Sequence, residues 1–227
     1  MSKIDIDTVS KIAHEVFSPL ISSKWAIDML IDDNFKIDKN KSIEYLKNIK
    51  KNLERINLVT NKILNLQLLE INELKQRPAN TNLLDVIENC KNQLLELDGL
   101  NRIEIKQVAD EKHEVFADPI YLEFAILNLL HNALVYSDEK VIVEVDCKGD
   151  FDEVKIADKG IGIPLSCQNN IFTKFYRASN ANKKYHKGLG ISLFLIKNIA
   201  NDWGGGVNFI SNESGSIFSL KILCQKK

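Results

Sequence analysis

The amino-acid sequence predicts an α+β protein, in which a helical hairpin is followed by a mixed α/β domain. Residues 1–77 contain one proline and no glycine, whereas all ten glycines lie from Gly99 onward. Apolar residues recur at helical spacing in the first part, while the second part contains both helix-like and strand-like segments. We therefore expect a hairpin over residues 1–77 and a second domain over residues 78–227.

The composition excludes several classes of protein. The 227 residues are 44% hydrophobic and 27% charged, and 30 Lys+Arg against 31 Asp+Glu give a net charge of −1. This balance provides no general attraction for the phosphates of nucleic acid. No apolar run approaches the roughly 20 residues needed to span a bilayer, and the polar start has no signal-peptide core. We expect a cytoplasmic protein with no nucleic-acid partner and no direct membrane insertion.

The four cysteines are widely separated in the sequence, at Cys90, Cys147, Cys167 and Cys224. No C-x-x-C pair is present, and no histidine lies at ligand spacing from them. The spacing therefore favours reduced thiols and disfavours a structural zinc site.

The first part predicts two antiparallel helices that dimerise. Val9, Ala13, Val16 and Leu20 form one helical face. After a polar break at residues 32–34, a second apolar series follows at Ile49, Leu53, Ile56, Ile63 and Leu66. Because two amphipathic helices form a thin core and no further helical pair follows, we expect a homodimer with a four-helix bundle.

The second part predicts a sheet covered by helices. Strands are expected over residues 141–145, 154–157 and 217–223, and helices over 121–136 and 191–203. Residues 77–82, which contain Pro78, end the helical pattern and are interpreted as a linker.

His14 is expected to point away from the hairpin core. At about 100° per residue, it lies about 130° from the centre of the Val9–Leu20 stripe. Pro19 follows inside the helical pattern and cannot donate to the Glu15 carbonyl. Taken alone, these features also fit a surface histidine without a role.

Three polar or glycine-rich segments carry possible chemistry. Asn128 and Asn132 lie four apart on one predicted helix, so both amides point the same way and can offer oxygen to Mg²⁺. Asp158 ends a predicted strand, and the glycine turn after it permits close approach of a ligand. The glycine group at residues 188–190 opens a helix, whose free N–H groups suit phosphate. Each segment alone also fits a surface stripe, an ordinary turn or a helix start.

The order of these features resembles that of two-component sensor histidine kinases. The matching segments are residues 14–20 (H-box), 128–137 (N-box), 158–162 (first glycine box), 171–177 (F-box) and 188–190 (second glycine box). They occur in family order at family-like separations over residues 9–223. The resemblance implies a dimerisation and phosphoacceptor hairpin, followed by an α/β sandwich of the Bergerat ATP-binding type.

The resemblance also implies roles for individual residues. His14 would receive the γ-phosphoryl group of ATP, and Glu15 would polarise the other ring N–H. Ser18 keeps a hydroxyl one turn later, where the family supports dephosphorylation of its partner. Arg177 would lie near the γ-phosphate.

The implied nucleotide site binds ATP and Mg²⁺. Asn132 would hold Mg²⁺, with support from Asn128. Asp158 would accept a hydrogen bond from the adenine amine, and Tyr136 would lie against the base. The remaining implied ATP-binding positions are Gly160, Gly162, Lys187, Gly188, Leu189 and Gly190. Residues 165–187 would form a mobile lid over the nucleotide.

The sequence departs from the family pattern in three motifs. Val135 replaces the usual basic residue, His186 replaces the first glycine of the second glycine box, and Phe17-Ser18 replaces Arg-Thr. Lys183, Lys184 and Lys187 are candidates to supply the missing charge. Asn128 stands where hydrolytic fold relatives carry a glutamate, and an amide cannot activate water as a general base. Transfer to His14 is therefore expected rather than hydrolysis.

The sequence thus predicts an ATP-dependent protein-histidine kinase core, which passes its phosphoryl group to an aspartate of a response regulator receiver domain. The alternatives are a histidine phosphotransferase or a nucleotide-binding adaptor with a degenerate ATP site. Because 13 residues precede His14, we expect the signal to arrive through a separate sensor or input protein, unless the chain is a core cut from a longer one.

Overall fold

A computed structural model describes residues 6–32, 37–71, 74–98, 101–107, 113–185 and 188–224. The chain divides into two compact units. One unit comprises Met1–Leu74 with Lys187–Leu189, and the other comprises Lys75–His186 with Gly190–Lys227. None of the described helices is both long enough and apolar enough to cross a membrane.

The first unit is built on two helices that pack against each other, α1 (Ile6–Ile31) and α2 (Lys39–Glu70). The Asp38 side chain caps α2 by accepting a 2.9 Å hydrogen bond from the backbone N–H of Lys41. Helix α1 continues through Pro19. The predicted helical hairpin is confirmed, although residues 33 and 34 of the predicted break lie outside the described residues.

Much of the apolar surface of the two helices is exposed. Ala26, Val59 and Leu66 are buried. In contrast, Leu20 is 47% exposed and Leu53 is 53% exposed, although both belong to the predicted apolar stripes. Two helices can cover only the faces that they turn toward each other, so the described residues of the unit leave about half of each of these side chains exposed.

The second unit contains five helices and seven strands among the described residues. The helices are α3 (Leu83–Asp98), α4 (Pro119–Tyr136), α5 (Leu165–Gln168), α6 (Ser179–Lys184) and α7 (Ser192–Asp202). The strands are β1 (Ala79–Asn82), β2 (Ile103–Gln107), β3 (Glu114–Ala117), β4 (Val141–Lys148), β5 (Phe151–Asp158), β6 (Gly206–Asn212) and β7 (Gly215–Leu223).

Five strands form the main sheet in the order β2-β4-β5-β7-β6. Strands β2 and β4 are parallel, and the other neighbours are antiparallel. Helix α4 packs on the sheet, burying Leu122, Ile126 and Leu129. Helices α3 and α7 pack beside α4, so the unit is an α/β sandwich, as predicted.

The interpretation of residues 77–82 as a linker is wrong for most of the segment. Residues 79–82 form β1, which pairs antiparallel with β3 in a separate two-stranded sheet, with Thr81 opposite Val115. The sequence of β1 is Ala-Asn-Thr-Asn, which lacks the alternation of apolar residues that marks a strand. Pairing with a segment more than 30 residues away therefore decides its conformation.

The stronger patterns were predicted correctly. The three predicted strands lie within β4, β5 and β7, and the predicted helices correspond to α4 and α7. Strand β7 alternates buried and more exposed positions along much of its length, as the sequence indicates.

Candidate functional site

Helix α4 holds the two asparagines that the sequence singles out. Asn128 is buried, and its Nδ2 donates to the Phe124 carbonyl at 2.8 Å. Its Oδ1 accepts a 3.1 Å hydrogen bond from the Ser192 hydroxyl at the start of α7. The Asn128 oxygen is thus engaged with the protein, whereas Asn132 lies one turn further along and is half-buried. This arrangement makes Asn128 a positioning group and leaves Asn132 as the candidate cation ligand.

Asp158 ends β5 and begins the first glycine turn. Its Oδ1 accepts a 2.8 Å hydrogen bond from the Gly160 backbone N–H. Partial burial raises the pKa of Asp158, and the backbone N–H groups of Gly160 and Ser216 oppose that rise. The result is a half-buried carboxyl group, fixed at a strand end, that can accept a hydrogen bond from a ligand amine.

The turn after Asp158 requires glycine because it lies against other backbone segments. A Cβ atom at Gly160 would lie 2.3 Å from the Tyr136 carbonyl oxygen. At Gly162 the φ angle is +58°, and a Cβ atom would lie 1.7 Å from the Asn212 carbonyl oxygen. The N–H of Ile161 also donates to the Tyr136 carbonyl at 3.2 Å. These contacts hold Asp158 near the end of α4, where Tyr136 lies.

The second glycine group precedes α7. Gly190 has φ +69°, and a Cβ atom there would lie 2.5 Å from the Tyr176 carbonyl oxygen. Gly188 is exposed with φ +114°, and Leu189 is buried. The N-cap residue of α7 is Ile191, whose side chain cannot cap the helix, so among the described residues no N-cap side chain competes with a bound anion for the helix N–H groups.

The segment from α5 to α6 corresponds to the predicted lid. The Arg177 guanidinium donates to the Tyr136 hydroxyl at 3.4 Å and also to the Tyr185 carbonyl. Lys184 forms an ion pair with Asp138, and hydrogen bonding to that ammonium group lowers the pKa of Asp138. Lys187 and His186 lie outside the described residues.

Asn180, in α6, joins the lid to the first glycine turn. Its Nδ2 donates to the carbonyls of Ile161 at 3.2 Å and Gly162 at 2.9 Å. Its Oδ1 is buried and has no hydrogen-bond partner in the described part of the chain. Neither Asn180 nor Ser192 was predicted from the sequence as a site residue. A serine two residues after Gly190 was a usable sign of a helix start, whereas nothing in the sequence marked Asn180.

His14 lies on α1 with an exposed side chain, as its helical phase predicts. Glu15 is buried, and its Oε2 lies 2.7 Å from Nη2 of Arg55 on α2. Consecutive residues on a helix point about 100° apart, so Glu15 can face Arg55 while His14 faces solvent. The structure therefore pairs Glu15 with Arg55, and the expected bond to the His14 ring is not among its described contacts. Ser18 is exposed one turn after His14.

Lys62 adds a second charged group near Glu15. Burial lowers the pKa of Lys62 to about 8, and the Glu15 carboxylate partly offsets this effect. Glu15 therefore interacts with two basic residues of α2 and contributes to the packing of the hairpin.

The residues of the second unit fit ATP with a divalent cation. The Asp158 carboxyl group lies beside the first glycine turn, where it can accept a hydrogen bond from the adenine amine. The uncapped N-terminus of α7 suits phosphate, and the Asn132 amide offers a hard oxygen ligand.

Comparison with known proteins agrees with this geometry. The family model described as "Histidine kinase-, DNA gyrase B-, and HSP90-like ATPase" matches residues 117–226. The adaptive-response sensory kinase SasA of Prochlorococcus marinus is 30% identical, over 93% of this chain and 56% of its own length. Two-component system protein A of Emericella nidulans is 24% identical, over 96% of this chain and 33% of its own length.

Solved structures share the fold. The Acinetobacter baumannii histidine kinase AdeS has a TM-score of 0.65 at 22% identity, and the match covers 94% of this chain and 98% of that one. Full-length ShkA has a TM-score of 0.65 at 17% identity, covering 97% of this chain and 47% of that one.

Residues 117–226 thus form an ATPase domain of the type shared by histidine kinases, DNA gyrase B and HSP90. Over most of its length the chain is similar to sensor histidine kinases, and a helical hairpin precedes that domain. It spans between 10% and 56% of the length of the curated relatives it matches.

Proposed function

We propose that the chain uses ATP to phosphorylate His14 and passes the phosphoryl group to an aspartate of a response regulator receiver domain. The observation that carries this proposal is the combination of an exposed histidine on a helical hairpin with an Asp158 glycine turn in the ATPase domain. Its homology to histidine kinases supports the same assignment.

The second unit would bind the nucleotide through its own fixed groups. Asp158 accepts a hydrogen bond from the adenine amine, and Tyr136 lies against the base. The glycine turns allow the backbone to approach the phosphates, which the N-terminus of α7 attracts. When bound, Mg²⁺ supplies positive charge against the triphosphate, and Asn132 would hold it. The structure of ShkA was solved in complex with AMPPNP, an observation about that protein that supports the proposal here.

His14 would act as the nucleophile. A neutral imidazole nitrogen attacks the γ-phosphorus, an N–P bond forms, and the bond from that phosphorus to the bridging oxygen of ADP breaks. Because the His14 side chain is exposed, its other ring proton can pass to solvent. Glu15 then acts through its ion pair with Arg55, which fixes the register of α1 against α2.

Arg177 and Ser18 keep their proposed roles. In the structure the Arg177 guanidinium is held by the Tyr136 hydroxyl and the Tyr185 carbonyl, so contact with the γ-phosphate requires it to exchange partners. The exposed Ser18 hydroxyl is placed one turn after His14, where it can assist dephosphorylation of the receiver.

Labelling with γ-labelled ATP and Mg²⁺ tests the proposal. The wild-type chain should acquire acid-labile, base-stable label, and His14→Gln should lose it while retaining nucleotide affinity. Lys11→Gln is the matched control, because Lys11 is another exposed residue of α1. Undiminished label in His14→Gln would contradict the assignment of the phosphoacceptor. A wild-type chain that binds nucleotide without acquiring label would instead support an adaptor or a phosphotransferase.

We also propose that the hairpin forms a homodimer. Leu20 and Leu53 are about half exposed, and burying apolar area against a second copy would stabilise the pair. Sedimentation equilibrium of the full chain at micromolar concentration should show a dimer. Leu20→Asp with Leu53→Asp should shift it to monomer, whereas the exposed polar control Ser22→Asp should not. A folded wild-type monomer at that concentration would contradict the proposal.

A further inference from the structure

A second cluster of polar side chains lies at the end of β5 remote from Asp158. One ligand atom each from Cys147, Asp152 and Cys224 lies within 4.8 Å of the others. Asp152 and Asp158 are six residues apart on one strand, which separates them by about 20 Å. The cluster is therefore distinct from the proposed nucleotide site.

The register of the sheet explains why these side chains meet. Cys147 on β4 lies directly opposite Asp152 on β5, and Asp152 lies opposite Ile222 on β7. Cys224 follows Ile222 by two residues, and its N–H donates to the Asp150 carbonyl at 2.8 Å. Because side chains two residues apart share a face, Cys224 projects on the same face as Asp152.

A buried histidine adjoins the cluster. An isolated bridge pairs Cys224 with Val115, which brings His113 near this end of the sheet. Nδ1 of His113 lies 2.8 Å from Oδ1 of Asp152, and both residues are 2% exposed. Nε2 of His113 is buried without a hydrogen-bond partner in the described part of the chain. Nδ1–H of His113 can donate to one carboxylate oxygen of Asp152, and the carboxylate is also hydrogen-bonded to the Cys224 thiol, so a cation bound here would take the place of that thiol proton.

The donor set selects the kind of ion. Two thiolates with one carboxylate suit a tetrahedral, borderline-soft divalent ion rather than Mg²⁺ or Ca²⁺. With metal–sulfur distances of about 2.3 Å and metal–oxygen distances of about 2.1 Å, the ligand atoms would lie roughly 3.5–3.8 Å apart. Since the three ligand atoms already lie within 4.8 Å of one another, side-chain movements of about 1 Å would bring them to coordination distance.

We propose that Cys147, Cys224 and Asp152 bind one Zn²⁺ ion, with His113 orienting the carboxylate and water in the fourth position. On binding, each thiol releases its proton to solvent, and the ion keeps its oxidation state. The site would tie the β4–β5 turn to the end of β7, so bound Zn²⁺ should stabilise this end of the sheet. It is independent of the proposed kinase activity.

Cobalt titration of the full chain tests the site. The protein is stripped of metal with a chelator and kept in a phosphine reductant, so that its thiols stay reduced. One equivalent of Co²⁺ should produce thiolate-to-metal charge-transfer absorption, and Zn²⁺ should displace the Co²⁺. Thermal unfolding should shift to higher temperature with Zn²⁺, because only the folded chain presents the assembled ligands.

Variants separate this site from other thiols. Cys147→Ser with Cys224→Ser should abolish the charge-transfer band, whereas the matched control Cys90→Ser with Cys167→Ser should retain it. His113→Gln should keep the stoichiometry while weakening Co²⁺ affinity by about 10–100-fold, as for other groups that orient a ligand. Cys147→Ser alone is the milder variant if the double replacement fails to fold, because Cys147 is half-buried. A wild-type chain without saturable Co²⁺ absorption, or a band that survives loss of both cysteines, would overturn the proposal.

Discussion

The Ser192 hydroxyl donates a hydrogen bond to Asn128 Oδ1 at 3.1 Å, joining the first residue of α7 to the middle of α4. The two residues are 64 positions apart in the chain. Asn128 also donates to the Phe124 carbonyl, so a buried amide has a partner for both its oxygen and its nitrogen. This hydrogen-bonded pair joins α4, which carries the N-box segment, to α7, which directly follows the second glycine box.

We predict that the Asn128–Ser192 pair is energetically coupled. Ser192→Ala should lower the free energy of unfolding by about 1 kcal/mol, and Asn128→Ala by about 1–3 kcal/mol, because each leaves a buried partner unsatisfied. A double-mutant cycle measured by urea unfolding should give a coupling energy above about 0.5 kcal/mol. Asn198→Ala is the control, since Asn198 also donates to the carbonyl four residues earlier in its helix. Strict additivity of the two losses would contradict the coupling.

Asn180 should control how firmly the lid is held. Asn180→Ala removes two hydrogen bonds to the first glycine turn, together worth about 1–3 kcal/mol of local stability. We expect faster amide exchange in α6, by about 5- to 100-fold, with little change in global unfolding. The control is Asn182→Ala, an exposed position in the same helix. Equal exchange rates in both variants would show that the two bonds do not hold the lid.

Gly162 should tolerate alanine much less well than Gly149. Both have positive φ, +58° and +66°, so alanine at either position costs about 1–2 kcal/mol in backbone strain. At Gly149 the space around the added Cβ is open, whereas at Gly162 the Cβ would strike the Asn212 carbonyl. We expect a loss of about 3 kcal/mol or more for Gly162→Ala in urea unfolding. Similar losses of stability for both variants would mean that the strain of the positive φ angle alone, and not the clash with Asn212, explains the loss at Gly162.

Lys62 should make stability depend on pH in the alkaline range. Its folded pKa is lowered to about 8 from 10.5, so the unfolded chain binds more protons between these values and stability rises with pH. Lys62→Met removes the cost of burying the charge. The variant should therefore be more stable than wild type below pH 8, by up to about 3 kcal/mol, and this gap should close toward pH 10.5.

Denaturant unfolding at several pH values measures the effect. Lys47→Met, at an exposed position of the same helix, controls for the lysine-to-methionine change itself. A gap that widens with rising pH would have the wrong sign and would refute the explanation.

Helical periodicity and strand patterns predicted α1, α2, α4, α7, β4, β5 and β7, because these patterns are displayed within each element's own sequence. In contrast, β1 was not predicted, since its four residues show no alternation and its conformation depends on pairing with β3. The lid helices α5 and α6 are too short for periodicity to reveal them.

The sequence by itself determined the order of the motifs, the outward phase of His14 and the presence of an asparagine where hydrolytic relatives carry a glutamate. These features depend on residue identity and local spacing, which the chain displays directly.

Only the tertiary structure decided which distant side chains meet. It pairs Glu15 with Arg55, Asn128 with Ser192, and Asn180 with the first glycine turn. It also gathers Cys147, Asp152 and Cys224, whose separations in sequence argued against a metal site. The physical reason is that sheet register and helix packing fix contacts between residues far apart in the chain, and such contacts leave no periodic trace in the sequence.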